Sequence, residues 1–329
     1  PRPLHYLETN SNDPAYNLAF EEFTLENRRE GEWLILWQNS PTVVLGLNQI
    51  AAAEVDVDFV RSHGISVVRR ATGGGAVYHD AGNINYSLIG DAGDSSSFSL
   101  ARFMEPVCAA LRSLGVPAEA TGRNDIAVNG LKVSGTAQRL SGSRVLHHGT
   151  LLFKTDRETM SAALRPDPGK FESKAAKSVR SRVGQICDFL PEGTTVEDFR
   201  RAMLAALGAS GLVRESLAPE ELAAVGVLAE EKYRSYEWTW GRAPDFGFKN
   251  SRRFPGGTLA VSLDVSDGAI RGAHISGDFM ALLPCAPVEE ALRGVRFERD
   301  DVRRALEPLE LGPMLGGISL EDVLSLIFG

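Results

Sequence analysis

Gly122-Arg123-Asn124-Asp125-Ile126-Ala127-Val128-Asn129-Gly130-Leu131-Lys132-Val133-Ser134-Gly135-Thr136-Ala137 reads as a β-hairpin, and the rest of the chain can be placed outward from it. Asn129-Gly130 is the strongest short-range hairpin signal, because a two-residue turn needs positive φ at its centre and Asn and Gly reach it most readily. Such a turn pairs Val128 with Leu131, Ala127 with Lys132 and Ile126 with Val133. Side chains alternate along a strand, so Asp125, Ala127, Lys132 and Ser134 should share one face, and Ile126, Val128, Leu131 and Val133 the other. A carboxylate and an ammonium then lie diagonally on the polar face. Two readings stand: an exposed cross-strand ion pair worth about 0.2 to 1 kcal/mol, or a fixed cation for developing charge beside a carboxylate that contacts magnesium or a ligand.

More strand signals flank the hairpin. In Asn83-Ile84-Asn85-Tyr86-Ser87-Leu88-Ile89, apolar and polar residues alternate, so one face is buried and the other presents Asn83, Asn85 and Ser87. His147-His148-Gly149-Thr150 enters a strand at Leu151-Leu152-Phe153 and brings one imidazole near the same sheet, as a structural hydrogen-bonding residue or a ligand contact. Trp33 to Trp37 and Thr42 to Leu45, joined by a turn at Asn39-Ser40-Pro41, read as a strand pair, and Val67 to Arg70 as a further short strand. Helices are expected from the Asp13-Pro14 cap, with Tyr16, Ala19, Phe20 and Phe23 facing the core. Others should follow Ser99, the Thr195-x-x-Asp198 capping box, and Ser319 near the end. Around Tyr233 to Phe248 the composition shifts to aromatics, Gly and Pro, and a fresh hairpin follows, Thr258 to Asp264 and Ala269 to Ile275 about Ser266-Asp267-Gly268. The expectation is an α+β protein with domains at 1–246 and 247–329.

At 329 residues the chain exceeds a single average core, and 43% hydrophobic residues suffice to pack two. The net charge of -8 argues against a general nucleic-acid or anionic-membrane binder. Cys108, Cys187 and Cys285 are odd in number and widely spaced, which indicates neither a disulfide framework nor a cysteine zinc site. With no long apolar run, a cytoplasmic protein is expected.

Arg69-Arg70-Ala71-Thr72-Gly73-Gly74-Gly75-Ala76-Val77-Tyr78-His79-Asp80 is the second chemical stretch. Each glycine costs roughly 0.5 to 1 kcal/mol against alanine in regular structure, so three in a row imply a use. The loop's N–H groups can approach a phosphate or carboxylate with Arg70 adding charge, or the run is a tight turn. It is neither a Walker loop nor a G-x-G-x-x-G fingerprint. Lys170, Lys174, Lys177, Arg180 and Arg182 form a basic stretch that is either a solvated face or a site for an anionic substrate or acidic partner.

Taken together, Arg-Arg-x-x-Gly-Gly-Gly-Ala-Val-x-His-Asp, Gly82-Asn83, Gly-Arg-Asn-Asp, Gly130-x-Lys132-x-Ser134-Gly135-x-Ala137, His148-Gly149-Thr150-Leu151 and Ser178-Val179-Arg180-Ser181-Arg182-Val183 resemble the lipoate-protein ligase A family in order and spacing, over nearly the whole chain. The resemblance implies a large domain with a mixed sheet and flanking helices, shared with biotin ligases and class II aminoacyl-tRNA synthetases, plus the small accessory domain of longer bacterial members. It implies a ligase that turns lipoate and ATP into lipoyl-adenylate and passes the acyl group to a lysine of a lipoyl domain, on E2 subunits or the glycine cleavage H protein, with Mg²⁺ as cofactor. By the same resemblance Lys132 and Asp125 are catalytic, and Asp125 is a candidate magnesium contact. Arg70, Gly73, Gly74, Gly75, Ala76, Val77, Tyr78, His79, Asn83, Asn124 and Lys132 would hold the nucleotide. Trp37, Arg70, Gly74, Lys132, Gly135, Ala137 and His148 would hold lipoate or octanoate. A monomer is expected.

One departure is visible: where the family carries a basic residue and Gln-Asn after Val43-Val44-Leu45-Gly46, this chain has Leu47-Asn48-Gln49-Ile50. The nearest rival is a lipoyl or octanoyl transferase using a preformed acyl donor; those with a nucleophile place a cysteine just before the lysine hairpin, where this chain has Asn124-Asp125. A non-catalytic lipoyl-binding protein is the rival of another class, and retention of Arg70, Asp125 and Lys132 argues against it. Biotin ligation is disfavoured by the absence of a Gly-Arg-Gly-Arg-x-Gly loop.

Overall fold

The computed structural model describes residues 3–49, 51–93, 101–122, 124–164, 183–241, 247–266 and 268–328. Arg123 and the basic stretch from Lys170 to Arg182 lie outside the described residues, as do Ile50, Ser99 and Asp267. Two compact units form: Pro1–Val44, Glu54–Val68 and Val77–Ser235 make the first, and Leu45–Ala53, Arg69–Ala76 and Tyr236–Gly329 the second.

The first unit is built on an eight-stranded mixed sheet. Its strands are β1 (Leu4–Leu7), β2 (Glu32–Trp37), β6 (Asn83–Asp91), β7 (Ala118–Thr121), β8 (Asp125–Val128), β9 (Leu131–Ser141), β10 (Arg144–Leu152) and β11 (Leu212–Arg214). Their order is β11-β1-β2-β6-β10-β9-β8-β7; β11, β1 and β2 run parallel and the remaining neighbours antiparallel. One face packs Leu34, Leu36, Ile84, Tyr86, Val133 and Leu151 against the helices Ala101–Ser113 and Val196–Leu207. The second of these begins at Thr195, whose capping box with Asp198 is formed as the sequence indicates. The opposite face receives α1 (Pro14–Asn27), which starts at Asp13 with Pro14 in its first turn.

The strand pair expected between Trp33–Trp37 and Thr42–Leu45 does not form. β2 joins the large sheet between β1 and β6, whereas β3 (Thr42–Leu45) lies between β4 (Ser66–Arg69) and β5 (Val77–His79) in a small sheet. All of β3, and all of β2 after Glu32, are buried on both faces, so neither strand carries the alternation that would have shown which partner it takes. The hairpin holds as expected at its tip, with Asn129 at φ 51° and Gly130 at φ 79°, Val128 opposite Leu131 and Ala127 opposite Lys132. Beyond that a β-bulge intervenes, so Ile126 pairs with Ser134 instead of Val133, and Asp125 with Gly135. Ser134 is thereby buried, which corrects its expected place beside Asp125 and Lys132.

In the second unit β12 (Phe248–Phe254), β13 (Gly257–Ser266) and β14 (Ala269–Gly277) make a three-stranded antiparallel sheet. Leu259, Val261, Leu263, Ile270 and Ile275 pack with Val288, Val302, Val323 and Leu324 from the C-terminal helices. Ser319 and Asp322 cap the last of these reciprocally.

Candidate active site

Five strands bring one row of residues across the polar face of the large sheet. Trp37 of β2 pairs with Asn85 of β6, Asn85 with Thr150 of β10, and Gly135 of β9 with Asp125 of β8. Thr150 joins the two halves, its Oγ1 accepting from the Gly135 N–H at 3.1 Å. A neighbouring row runs Ile35, Ser87, His148, Ala137.

Lys132 Nζ stands 2.8 Å from Asp125 Oδ1, each side chain a little over one-third exposed. The bulge explains how they meet. With Gly135 opposite Asp125, nothing projects between the two side chains; a Cβ on Gly135 would come 3.0 Å from Lys132 Nζ. Asn124 turns inward just before, its carbonyl accepting from the Thr136 N–H and hydroxyl and its amide donating to the Thr136 carbonyl. On the other edge of the hairpin, Gly184 N–H donates to the Lys132 carbonyl and Val183 bridges Lys132 in parallel.

A buried polar cluster lies along the second row. Trp37 Nε1 donates to Ser87 Oγ at 2.8 Å, Ser87 donates to Glu21 Oε1 at 2.6 Å, and His148 Nδ1 meets the same oxygen at 2.8 Å. A carboxylate oxygen can only accept, so His148 presents Nδ1–H. His79 stands edge-on to Trp37 at 6.1 Å, and its Nδ1 takes the amides of Asn39 and Asn85. Asn83 donates to Asn85 at 2.9 Å while its own Oδ1 is buried without a hydrogen-bond partner among the described residues, an acceptor left open.

Glu21 lies outside the motifs that the sequence singles out. Its helix reads as a core stripe of Phe20 and Phe23, and two consecutive glutamates in that stripe were the signal, since buried carboxylates require partners. Glu22 has them as well: Arg139, Lys232 and the Tyr233 hydroxyl, all within 2.8 Å. Burial alone would raise the Glu22 carboxyl, but Lys232 and Arg139 outweigh it and hold it below the ordinary glutamate value. Of the adjacent histidines only His148 looks onto the polar face. His147 lies in the core between Gln138 and Tyr86, and burial pushes it down to about 3 with help from His148.

Val77 and Tyr78 belong to β5. Tyr78 lines a cleft of about 730 Å³ with Gln38, Asp80, Lys154 and Asp156, and burial together with Asp80 and Asp156 pushes its phenol up to about 12. Arg70 and Gly73 to Ala76 lie in the second unit. There the Arg70 guanidinium curls the loop on itself, donating to Thr72 Oγ1, the Gly73 carbonyl and the Gly75 carbonyl at 2.6–2.9 Å. The glycines are required by close approach: a Cβ on Gly73 would lie 2.5 Å from Ala281 N, a Cβ on Gly46 1.8 Å from the Gly74 carbonyl, and Gly74 itself sits at φ 92°. Gly74 N–H donates to the Phe279 carbonyl, and Asn48 of the departing loop accepts from Gly277 N–H.

The structure thus gathers Trp37, His79, Asn83, Asn124, Asp125, Lys132, Gly135, Ala137 and His148 in the first unit, and Arg70 with the glycine loop in the second. The Cys108 and Cys187 thiols are raised by burial, which opposes use as nucleophiles. Among the described residues no three His, Cys, Asp or Glu side chains group to cage a metal ion, and no helix is long and apolar enough to cross a membrane.

Comparison with known proteins gives the family. Residues 13–208 match the lipoyl protein ligase A/B catalytic domain and residues 243–327 the bacterial lipoate protein ligase C-terminus. The lipoate-protein ligase LplJ of Bacillus subtilis is 38% identical over 324 residues, covering 97% of this chain and 98% of that protein. Among solved structures, one from an archaeal lipoylation system, a bipartite lipoate protein ligase and its E2 lipoyl domain from Thermoplasma acidophilum, superposes with a TM-score of 0.65 at 30% identity over 75% of this chain and 99% of its own. A lipoate-protein ligase A bound with ATP gives 0.63 at 28% identity over 73% and 98%. The chain belongs to the lipoyl protein ligase A/B family, with both the catalytic domain and the bacterial C-terminal domain.

Proposed function

We propose that this chain is an ATP-dependent lipoate-protein ligase, with 1–246 as its catalytic part and 247–329 as its accessory part, acting as a cytoplasmic monomer. The observation that carries the reading is the Lys132–Asp125 pair at 2.8 Å on the same sheet face as the buried Trp37–Ser87–Glu21–His148 cluster. That face offers a cation held beside a carboxylate, on the same side as a buried aromatic and polar cluster, which suits a fatty-acid-like carboxylate.

In the first step a lipoate carboxylate oxygen attacks the α-phosphorus of ATP and the bond to pyrophosphate breaks. Lys132 would lie between the carboxylate and the α-phosphate; a preorganised donor of this kind is worth about 3 to 4 kcal/mol. Asn83 Oδ1 would accept from the nucleotide. The glycine loop Gly73 to Ala76, with Val77, Tyr78, His79 and Asn124, would hold the rest of the adenylate, and Arg70 its anionic end. Gly74, Gly135, Ala137, Trp37 and His148 would enclose the lipoyl chain. In the second step the ε-amine of an acceptor lysine attacks the acyl carbon, AMP leaves, and an amide forms. Asp125 is the one residue of this set suited to Mg²⁺, which keeps several waters and leans on substrate phosphates instead of an all-protein cage; when bound it would neutralise phosphate charge. The acceptor would be a lipoyl domain such as that of an E2 subunit.

The test is to mix the protein with ATP, Mg²⁺ and lipoate and to follow pyrophosphate, then to add an apo lipoyl domain and follow its mass. Pyrophosphate release followed by a gain of one lipoyl group is expected. Transfer from synthetic lipoyl-adenylate without pyrophosphate release would instead make the protein a transferase.

A further inference from the structure

Arg69, the residue before Arg70, is wholly buried, and its guanidinium donates to main chain. Nη1 donates to the carbonyls of Gly46, Leu47 and Gln49 at 2.8, 3.1 and 2.6 Å. Nε and Nη2 donate to the carbonyls of Trp238 and Thr239 at 2.8 and 2.7 Å, and Trp238 Nε1 donates back to the Arg69 carbonyl at 2.8 Å. Two stretches far apart in sequence therefore end on one planar cation at the start of the glycine loop: the loop after β3 and the helical turn Tyr236–Thr239, which opens the longest segment of the second unit. Only a guanidinium can do this, because its donors point in fixed, divergent directions within one plane, whereas an ammonium offers three donors from a single point. Two further ties act on the glycine loop: Leu47 N–H donates to the Thr72 carbonyl, and Gly74 N–H to the Phe279 carbonyl.

We propose that Arg69 is a positioning residue for nucleotide use: it holds the glycine loop in register with the Trp238–Thr239 turn, so that the loop is borne by the C-terminal body and not by the sheet that carries Lys132. This rests on the reading of the glycine loop as a nucleotide-binding element. Arg69 touches no substrate itself; it sets where the N–H groups of Gly73 to Gly75 stand.

Arg69→Lys in the full chain tests it, measured against ATP and lipoate separately and by amide exchange of residues 72–76 without substrate. A fall of at least about tenfold in kcat/KM for ATP is expected, with a clearly smaller rise in KM for lipoate, because the loop offers the nucleotide most of its groups and the lipoyl chain only Arg70 and Gly74. Faster exchange of the Gly74 amide should accompany it. Trp238→Phe keeps an aromatic ring, removes one bond to the Arg69 carbonyl, and should show the same split at about two- to fivefold; it decides the matter if Arg69→Lys does not fold. Equal loss for both substrates, or a folded variant with wild-type kinetics and exchange, would overturn the proposal. Should the wild-type protein release no pyrophosphate, the ligase reading fails, and the exchange measurement still judges the clamp.

Discussion

The polar face of the large sheet and the glycine loop hold their functional candidates by opposite means. On the sheet, Lys132, Asp125 and His148 are aimed by strand alternation and by the pairing of their strands, and Trp37 and His148 find side-chain partners in Ser87 and Glu21. In the loop, Arg69 and Arg70 point inward at carbonyls, and the conformation is set by what the backbone can approach. A strand places a side chain through many shared hydrogen bonds, so a single substitution removes chemistry and leaves geometry. A loop bound through one or two cations loses geometry first.

The largest expected effect is on the sheet. Lys132→Ala should lower pyrophosphate release by about 10²- to 10³-fold. Its thermal midpoint should move by no more than a few degrees, since a partly exposed ion pair contributes only about 0.2 to 1 kcal/mol. A folded variant with wild-type release would end the comparison. Glu21→Gln should raise KM for lipoate by about tenfold and leave KM for ATP within about twofold, because the hydrogen bonds it disturbs are those of Ser87 and His148. If both constants rose together, the cluster would have to serve the whole site and not the acyl pocket.

Gly135→Ala is a finer probe. The new methyl would stand 3.0 Å from Lys132 Nζ, and the flexible lysine should give way and leave Asp125. A drop in kcat of about three- to tenfold with unchanged stability is expected, as for a small misplacement of a catalytic group; unchanged kcat would show that the close approach of Lys132 and Asp125 is incidental. The smallest effect is on stability against pH. The Glu22 carboxyl is lowered in the folded state, so its stabilisation is present above the ordinary glutamate value of 4.5 and is lost as pH falls through the lower folded value. Thermal midpoints measured from pH 7 to pH 3 should therefore fall more steeply below about 4.5 for the wild type than for Glu22→Gln. Parallel curves would mean that Lys232 and Arg139 hold Glu22 no more tightly folded than unfolded.

Local chemistry decided what the sequence could decide alone. Asn129-Gly130 dictated a turn with positive φ at both residues, Asp13-Pro14 and Thr195-x-x-Asp198 dictated helix starts, and the alternation from Asn83 to Ile89 dictated a strand with one polar face. These are rules over two to seven neighbours, and each survived folding. The motif residues also announced the family, since their order and spacing are carried by the chain itself. The tertiary structure decided the rest. A bulge moved Ser134 into the core and brought Gly135 opposite Asp125; β2 and β3 went to different sheets; the His148 partner proved to be Glu21, 127 positions away, and Arg69 found Trp238 across 169. Periodicity says which face a residue takes, but a buried carboxylate or guanidinium meets its partner only when packing brings distant segments together, because burial is what makes the pairing obligatory.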